Sequence, residues 1–424
     1  FQGTRCCRKQ LISVVNGQVM RRPSCVRNNA SSAFESRQEL MPDKPQENPA
    51  GRPVHGSVGP RELRALGLKP EDLLDFSASI SPIGPPDGVW EAIRSVDLSR
   101  YPDPECLDLR ETICRHLSTS MRQIPIERVL VGNGSTEIFH LLTRVYLSNQ
   151  HDQGTALLMT PTYGEYDGAC RLANARILNC SANLSGDFAW DIPAAVALIN
   201  DHKPDLVIIC NPNNPTGVYL AREEIESLAD ATRRSGGLLV VDEAYRAFVE
   251  DTWDSLTLLD RTNVMLVRSM TKDYAQTALR LGYALASEDV VSRLREFQPD
   301  WSVNSLAQKA GVFALEDTGY LPKAREAVFS AKRFLTDKLL KIDSLEVSHS
   351  HANFILVEVG DAAKWRSLLM AKGMVVRDCT SFGLPGYIRI GIRSMPDCQR
   401  LAAAVADVAA SISRLGLDEK SPGT

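Results

Sequence analysis

Between residues 128 and 286 the chain alternates short apolar runs with polar turns and amphipathic stretches, and this rhythm limits the folds open to it. Segment 128–131 reads as a strand, and 156–159, 206–210, 238–241 and 264–267 are uninterrupted apolar runs. A strand apolar on both sides is buried on both faces, as in parallel sheets covered by helices. Helical patterns separate several of these runs, as at 222–234. Strand, crossover and strand in this order predict a doubly wound α/β domain with a mostly parallel central sheet. Ligands in such folds gather beyond the carboxyl ends of the strands, so the turns after each run hold the candidate site residues.

The rest of the chain frames that domain. Residues 1–54 mix Arg, Ser, Asn, Pro and Glu without a sustained period and are expected to be poorly ordered. Phe1-Gln2-Gly3 reads as a protease scar, and the basic, Cys-containing stretch after it reads either as a targeting peptide or as a dispensable extension. Order is expected from His55, with helices at 61–68, 87–96 and 107–117, an extended segment at 75–82 and a rigid Tyr101-Pro102-Asp103-Pro104 turn. After Ala286 the pattern turns helical (290–297, 305–315, 321–342), and a mixed tail carries strands at 354–357 and 388–392. The expected division is an N-terminal segment, 55–104, packing with a smaller α+β domain, 311–415; a large domain, 105–310; and a tail, 416–424.

Composition excludes several classes. The 424 residues are 44% hydrophobic, with no apolar run long enough to span a membrane. Forty-eight basic and 52 acidic residues give a net charge of −4, which points to neither nucleic acid nor an anionic membrane as partner. The ten cysteines contain no Cys-x-x-Cys pair, so free thiols in a reducing, cytoplasmic setting are expected rather than disulfides or a metal site.

Five turns carry candidate chemistry. Ser269-Met270-Thr271-Lys272, with Arg280 eight residues on, follows the run 264–267. Cations with hydroxyls suit a phosphate dianion, and a lysine beside other cations loses proton affinity and becomes an amine nucleophile. The set fits a lysine in Schiff-base linkage to pyridoxal 5′-phosphate (PLP), with Arg280 and Ser269 on its phosphate; read alone it is also an ordinary loop. Gly132-Asn133-Gly134-Ser135-Thr136 joins a strand to a helix and reads as a phosphate cradle, or as a plain turn capped by Ser135 or Thr136. It lacks the lysine of a Walker A loop and the Gly-x-Gly-x-x-Gly pattern, which disfavours ATP and NAD. Asp242-Glu243-Ala244-Tyr245 offers a carboxylate for a protonated ring nitrogen and a phenol for a ring oxygen, or else an acidic helix start. Asn211 to Gly217 is a rigid loop in which Asn214 can donate to a phenolate-like oxygen, and Tyr163 follows a further run where it can stack on a flat ring.

Gly-Asn-Gly-Ser-Thr, Pro-Thr-Tyr-Gly-x-Tyr, Asn-Pro-Asn-Asn-Pro-Thr-Gly, Asp-Glu-Ala-Tyr and Ser-x-Thr-Lys occur here in one order. Together they resemble the fold-type I, class I/II PLP-dependent aminotransferases over roughly residues 55–415. Within that superfamily the chain is most similar to the threonine-phosphate decarboxylases of cobalamin biosynthesis, and next to the histidinol-phosphate aminotransferases. The nearer likeness rests on His55-Gly56, Asp75-Phe76-Ser77-Ala78, residues 269–275 and Trp301 to Ala307.

The resemblance implies Lys272 as Schiff-base lysine and proton shuttle, Asp242 on the pyridine nitrogen, Asn214 and Tyr245 on the ring hydroxyl, and Tyr163 stacked on the ring. Ser135, Thr136, Ser269 and Arg280 would hold the phosphate, with Gly134 and Thr271 in the same cofactor set. Tyr101 would reach the phosphate in the neighbouring subunit of a homodimer whose active site lies at the subunit interface. Arg389 would bind the carboxylate of a small amino-acid substrate and Arg377 a phosphate or second anion, with His55, Ser79 and Asn304 also on the substrate side. The activities implied are decarboxylation of O-phospho-L-threonine or a similar phosphorylated amino acid, transamination of the histidinol-phosphate type, or elimination or cyclisation of a specialised amino acid. Three departures stand out: Ser79 and Ser81 where the family usually has Asn, Ser57-Val58 after His55-Gly56, and Asp273 beside the lysine in place of an aromatic.

Overall fold

The computed structural model describes residues 58–148 and 153–414. After a short helix, Pro60–Leu66, and a two-residue strand β1 (Leu74–Asp75), helices Asp87–Arg94 and Leu107–Leu117 lead into the main sheet. Its strands are β2 (Val129–Asn133), β3 (Thr155–Thr160), β4 (Arg176–Ser181), β5 (Leu206–Cys210), β6 (Leu238–Asp242), β7 (Val264–Ser269) and β8 (Leu281–Leu285). They lie in the order β2-β8-β7-β6-β5-β3-β4. β8 runs antiparallel to both neighbours, and every other pairing is parallel.

Packing explains why these runs read as continuously apolar. Along β5, Val207 and Ile209 enter one core, while Leu206, Ile208 and Cys210 enter another. The second core includes Ile138 and Leu142 of helix Gly134–Tyr146; the first includes Ile225 and Leu228 of helix Arg222–Ser235. Alternate residues of one strand thus bury against helices on opposite faces, and each such side chain contributes about 1.5–3 kcal/mol.

Two strands escape the apolar-run reading. β4 is the sheet's edge, and its exposed Arg176 and Asn179 break the pattern. β8 carries Gly282, where a Cβ would lie 2.5 Å from the Ser135 backbone nitrogen, so close approach and not apolarity governs that position.

Five shorter strands follow: β9 (Glu346–Val347), β10 (Phe354–Glu358), β11 (Met374–Val375), β12 (Arg377–Asp378) and β13 (Tyr387–Gly391). Four of these form an antiparallel sheet in the order β12-β13-β10-β9, while β11 pairs in parallel with β1. The segment after β1 is held twice. Phe76 donates its N–H to Val375 O and accepts from Gly391 N (both 2.7 Å), while Ser81 N donates to Lys272 O at 2.8 Å. Residues 76–81 therefore bridge the two sheets and wall the space between them. No helix among the described residues is long and apolar enough to cross a membrane.

Candidate active site

A cleft of about 390 Å³ opens at the carboxyl edge of the main sheet, where β8 begins. Register aligns the turns there: Cys210 pairs with Asp242, Asp242 with Val267, Ser269 with Gly282, and Asn133 with Leu281. Four strand ends and the start of a fifth strand thus meet at one level, with Lys272 just after the end of β7 and Arg280 just before the start of β8.

Lys272 and Asp242 face this cleft together. The amine is pushed down to about 8 by burial first, then by the Arg389 and Arg280 cations, with Asp242 opposing. Asp242 is 3% exposed, and burial pushes its carboxyl up to about 6. Two donors oppose that rise: the Tyr166 hydroxyl to Oδ2 at 2.6 Å and Ala244 N–H to Oδ1 at 2.9 Å. Glu243 does not start a helix. It turns away to ion-pair with Arg268 (2.8 Å) and Arg246 (3.2 Å).

At one end of the cleft lie Ser135, Thr136, Ser269, Thr271 and Arg280. The N-cap of helix Gly134–Tyr146 is Asn133, whose side chain makes no cap bond, so Ser135 and Thr136 are not caps. The helix start therefore presents N–H groups and positive dipole to the cleft. Gly134 has φ +74°, and a Cβ there would meet the Arg280 guanidinium at 2.9 Å. Arg280 itself adopts φ +57°, a strained backbone that sets its side chain over the helix start. Ser269 Oγ and Thr271 Oγ1 lie 2.6 Å apart, so one of the two hydroxyls donates to the other.

On the opposite wall, Arg389 NH1 donates to Asn214 Oδ1 and NH2 to Ser77 O (2.7 Å), while its Nε is buried with no hydrogen-bond partner among the described residues. Using Asn214 Oδ1 in this way turns the amide NH2 to other acceptors. Of the loop's remaining asparagines, Asn211 bonds Leu220, and Asn213 ties the loop to Pro161 and Thr162. Phe354 lies 5.0 Å from the Arg389 guanidinium and meets the Tyr245 ring edge-on, also at 5.0 Å. Arg377 NH2 donates to Ser381 Oγ at 2.6 Å; its basicity is lowered to about 10 by burial and then by Arg389. Ser79 is 1% exposed, and its hydroxyl has no hydrogen-bond partner among the described residues.

The cleft thus gathers Ser135, Thr136, Tyr163, Asn214, Asp242, Tyr245, Ser269, Thr271, Lys272, Arg280, Ser79, Arg377 and Arg389. Three expected residues do not line it in this chain: Gly134, which lies against the Arg280 guanidinium, and Tyr101 and Asn304. Tyr101 is 79% exposed and stacks on Trp301 at 4.6 Å. Asn304 caps helix Ser305–Glu316, accepting from Ala307 N and donating to Leu279 O, which commits both ends of its amide. His55 falls outside the described residues. Sequence reasoning passed over Tyr166, Glu165, Cys210 and Phe382, all of which line the cleft. The signal for Tyr166 was its place three residues after Tyr163, one helical turn along the same face.

The donor set fits PLP: phosphate ligands at a glycine-bearing helix start, a lysine of lowered proton affinity, and a buried acid held by two donors. The family described as aminotransferase class I and II matches residues 71–405 of this chain. The threonine-phosphate decarboxylase of Salmonella typhimurium is 32% identical over 368 residues, which is 85% of this chain and 98% of that protein. The histidinol-phosphate aminotransferase of Symbiobacterium thermophilum is 32% identical over 81% of this chain and 91% of its own length. Among solved structures, histidinol-phosphate aminotransferase from Sinorhizobium meliloti, in complex with pyridoxal-5′-phosphate, superposes with a TM-score of 0.73 at 24% identity, covering 84% of this chain and 96% of that one. The protein belongs to the class I and II aminotransferase family. It is a fold-type I enzyme whose cofactor is PLP.

Proposed function

We propose that this enzyme decarboxylates a small phosphorylated amino acid, with O-phospho-L-threonine as the type substrate. The observation that carries the reading is the pair Arg377 and Arg389, set side by side in the same cleft as Lys272 and Asp242. Two guanidinium groups suit a substrate with two anionic ends, and the forked donor geometry fits both carboxylate and phosphate. The likeness to threonine-phosphate decarboxylase supports the same choice.

Bound here, PLP supplies an electron sink for a bond broken at the substrate Cα. The chain's own residues do the rest. Lys272 is the amine for the cofactor aldehyde and the group that moves a proton at Cα. Asp242 holds the ring nitrogen's proton by its charge, and Asn214 and Tyr245 hold the ring oxygen. The helix start with Ser135, Thr136, Ser269 and Arg280 anchors the phosphate. Arg389 orients the carboxylate, Arg377 takes the second anion, and the Ser79 hydroxyl is a further donor.

Transamination of the histidinol-phosphate type is the second reading. The same two arginines serve it, and a relative of that name is equally identical. Assaying CO2 release and keto-acid formation from a panel of phosphorylated amino acids separates the two: no CO2 from any of them overturns the decarboxylase. We infer that the working form is a homodimer, with Tyr101 of each copy directed at the other's phosphate site; the exposed Tyr101–Trp301 stack supports this. The two sheets support a division into a large domain, 105–310, and a smaller one, 311–415.

A further inference from the structure

Tyr166 has no part in the reading above, yet no part of it touches solvent and its hydroxyl reaches Asp242, a buried acid of the cleft. We propose that Tyr166 is a positioning residue: its hydroxyl fixes the Asp242 carboxylate in one orientation and keeps it anionic, so that the acid meets the cofactor ring as a charge. This rests on the reading that Asp242 faces the ring nitrogen.

The phenol is itself held firmly. Its ring packs against Phe139 (4.7 Å, 54° between planes) and Tyr163 (5.5 Å, 86°). Burial and the neighbouring carboxylate both raise its own proton affinity, so it stays a donor at every working pH. The hydroxyl takes Oδ2 and Ala244 N–H takes Oδ1, which fixes the carboxylate plane from two sides. Each carboxylate oxygen has a second lone pair, so both remain able to accept from the cleft.

The charge balance gives the hydroxyl a second task. Six titratable groups act on Asp242: Tyr163 and Tyr166, Cys210 from β5, Glu243 and Tyr245 from its own segment, and Lys272 after β7. Cys210 directs its thiol to Pro212 O at 3.2 Å, and the Glu243 carboxylate is engaged by Arg268 and Arg246. Burial lifts Asp242 to about 6, and the Tyr166 hydrogen bond is the largest influence against that rise. Without it the acid takes up a proton near neutrality, and a neutral carboxyl group is a poor partner for a protonated ring nitrogen.

The test is PLP affinity of the apoprotein, measured by equilibrium dialysis from well below to well above pH 6, for wild type, Tyr166→Phe and Asp242→Asn. Phenylalanine keeps both aromatic contacts, and melting of each apoprotein checks the fold. Lys272 contributes the same pH dependence to wild type and Tyr166→Phe, and the further weakening set by Asp242 is expected in wild type as the pH falls through about 6. In Tyr166→Phe the weakening begins at higher pH, leaving the variant about tenfold weaker at neutrality and close to wild type on the alkaline side. Asp242→Asn is expected to bind weakly with no such pH dependence. A Tyr166→Phe profile parallel to wild type, whether equal or uniformly weaker, overturns the inference. If Asp242→Asn itself keeps the wild-type profile, the reading of Asp242 fails instead. As a second readout, the PLP-induced rise in melting temperature is expected to shrink in Tyr166→Phe at neutral pH but not at alkaline pH; an unchanged rise at both also counts against it.

Discussion

Arg377 and Arg389 stand directly opposite each other in the antiparallel pair β12 and β13. Like charges in that position repel, and both arginines are more than nine-tenths buried in the wall of the cleft. Arg389's partners are a side-chain amide and a backbone carbonyl, both neutral, and Phe354 supports it from beneath. A doubly anionic ligand would turn that repulsion into attraction.

The two arginines are expected to separate kinetically. Arg377→Gln should raise KM for a phosphorylated amino acid by about tenfold or more, while leaving its unphosphorylated analogue nearly unaffected. Arg389→Gln should weaken both substrates, because both carry the carboxylate. Equal losses for the two substrates in Arg377→Gln would remove the second-anion role.

Lys272 sets the pH dependence of cofactor capture. Only the neutral amine attacks a carbonyl, so the rate at which apoprotein takes up PLP should rise with pH through about 8 and then level off. The amine sits below its usual value partly because Arg389 is a like charge beside it. Arg389→Gln removes that charge, so the midpoint should move to higher pH. Stopped-flow absorbance on the two apoproteins reads both values.

Lys272→Ala should leave the protein folded but without the yellow colour of covalently held PLP. Mass spectrometry after borohydride reduction should find the cofactor on the peptide containing Lys272 in wild type and on no peptide in the variant. Label at another lysine in wild type would displace the assignment.

Gly282→Ala tests the phosphate cradle from behind. The added Cβ would meet backbone on two sides: the Gly134–Ser135 peptide (Ser135 N at 2.5 Å, Gly134 C at 2.9 Å) and Arg268 O at 3.0 Å. Rigid backbone cannot yield as a side chain can, so a loss of about 1–3 kcal/mol in stability is expected, together with weaker PLP binding. Denaturant melts and dialysis measure the two effects separately.

Tyr101→Ala should leave the monomer fold intact, since the side chain is 79% exposed. In sedimentation and PLP-binding experiments, affinity should fall only under conditions where the protein is dimeric.

The strand ends and their polar turns were readable in the sequence because both signals are local. An apolar run buried on two faces looks the same whichever strand lies beside it, and the chemistry of Lys272, Asp242 and Asn214 lies within a few residues of each run. β4 and β8 were not readable: one is an edge with polar positions, the other is shaped by the backbone it approaches. The bonds that tune the site join distant stretches, Tyr166 to Asp242 across 76 residues and Arg389 to Asn214 across 175. Such pairs depend on strand order, strand direction and register. A hydrophobic period carries none of these, because it records only which side of a strand is buried, so the packed chain alone decided that Tyr166 would hold the acid and that two arginines would share one wall.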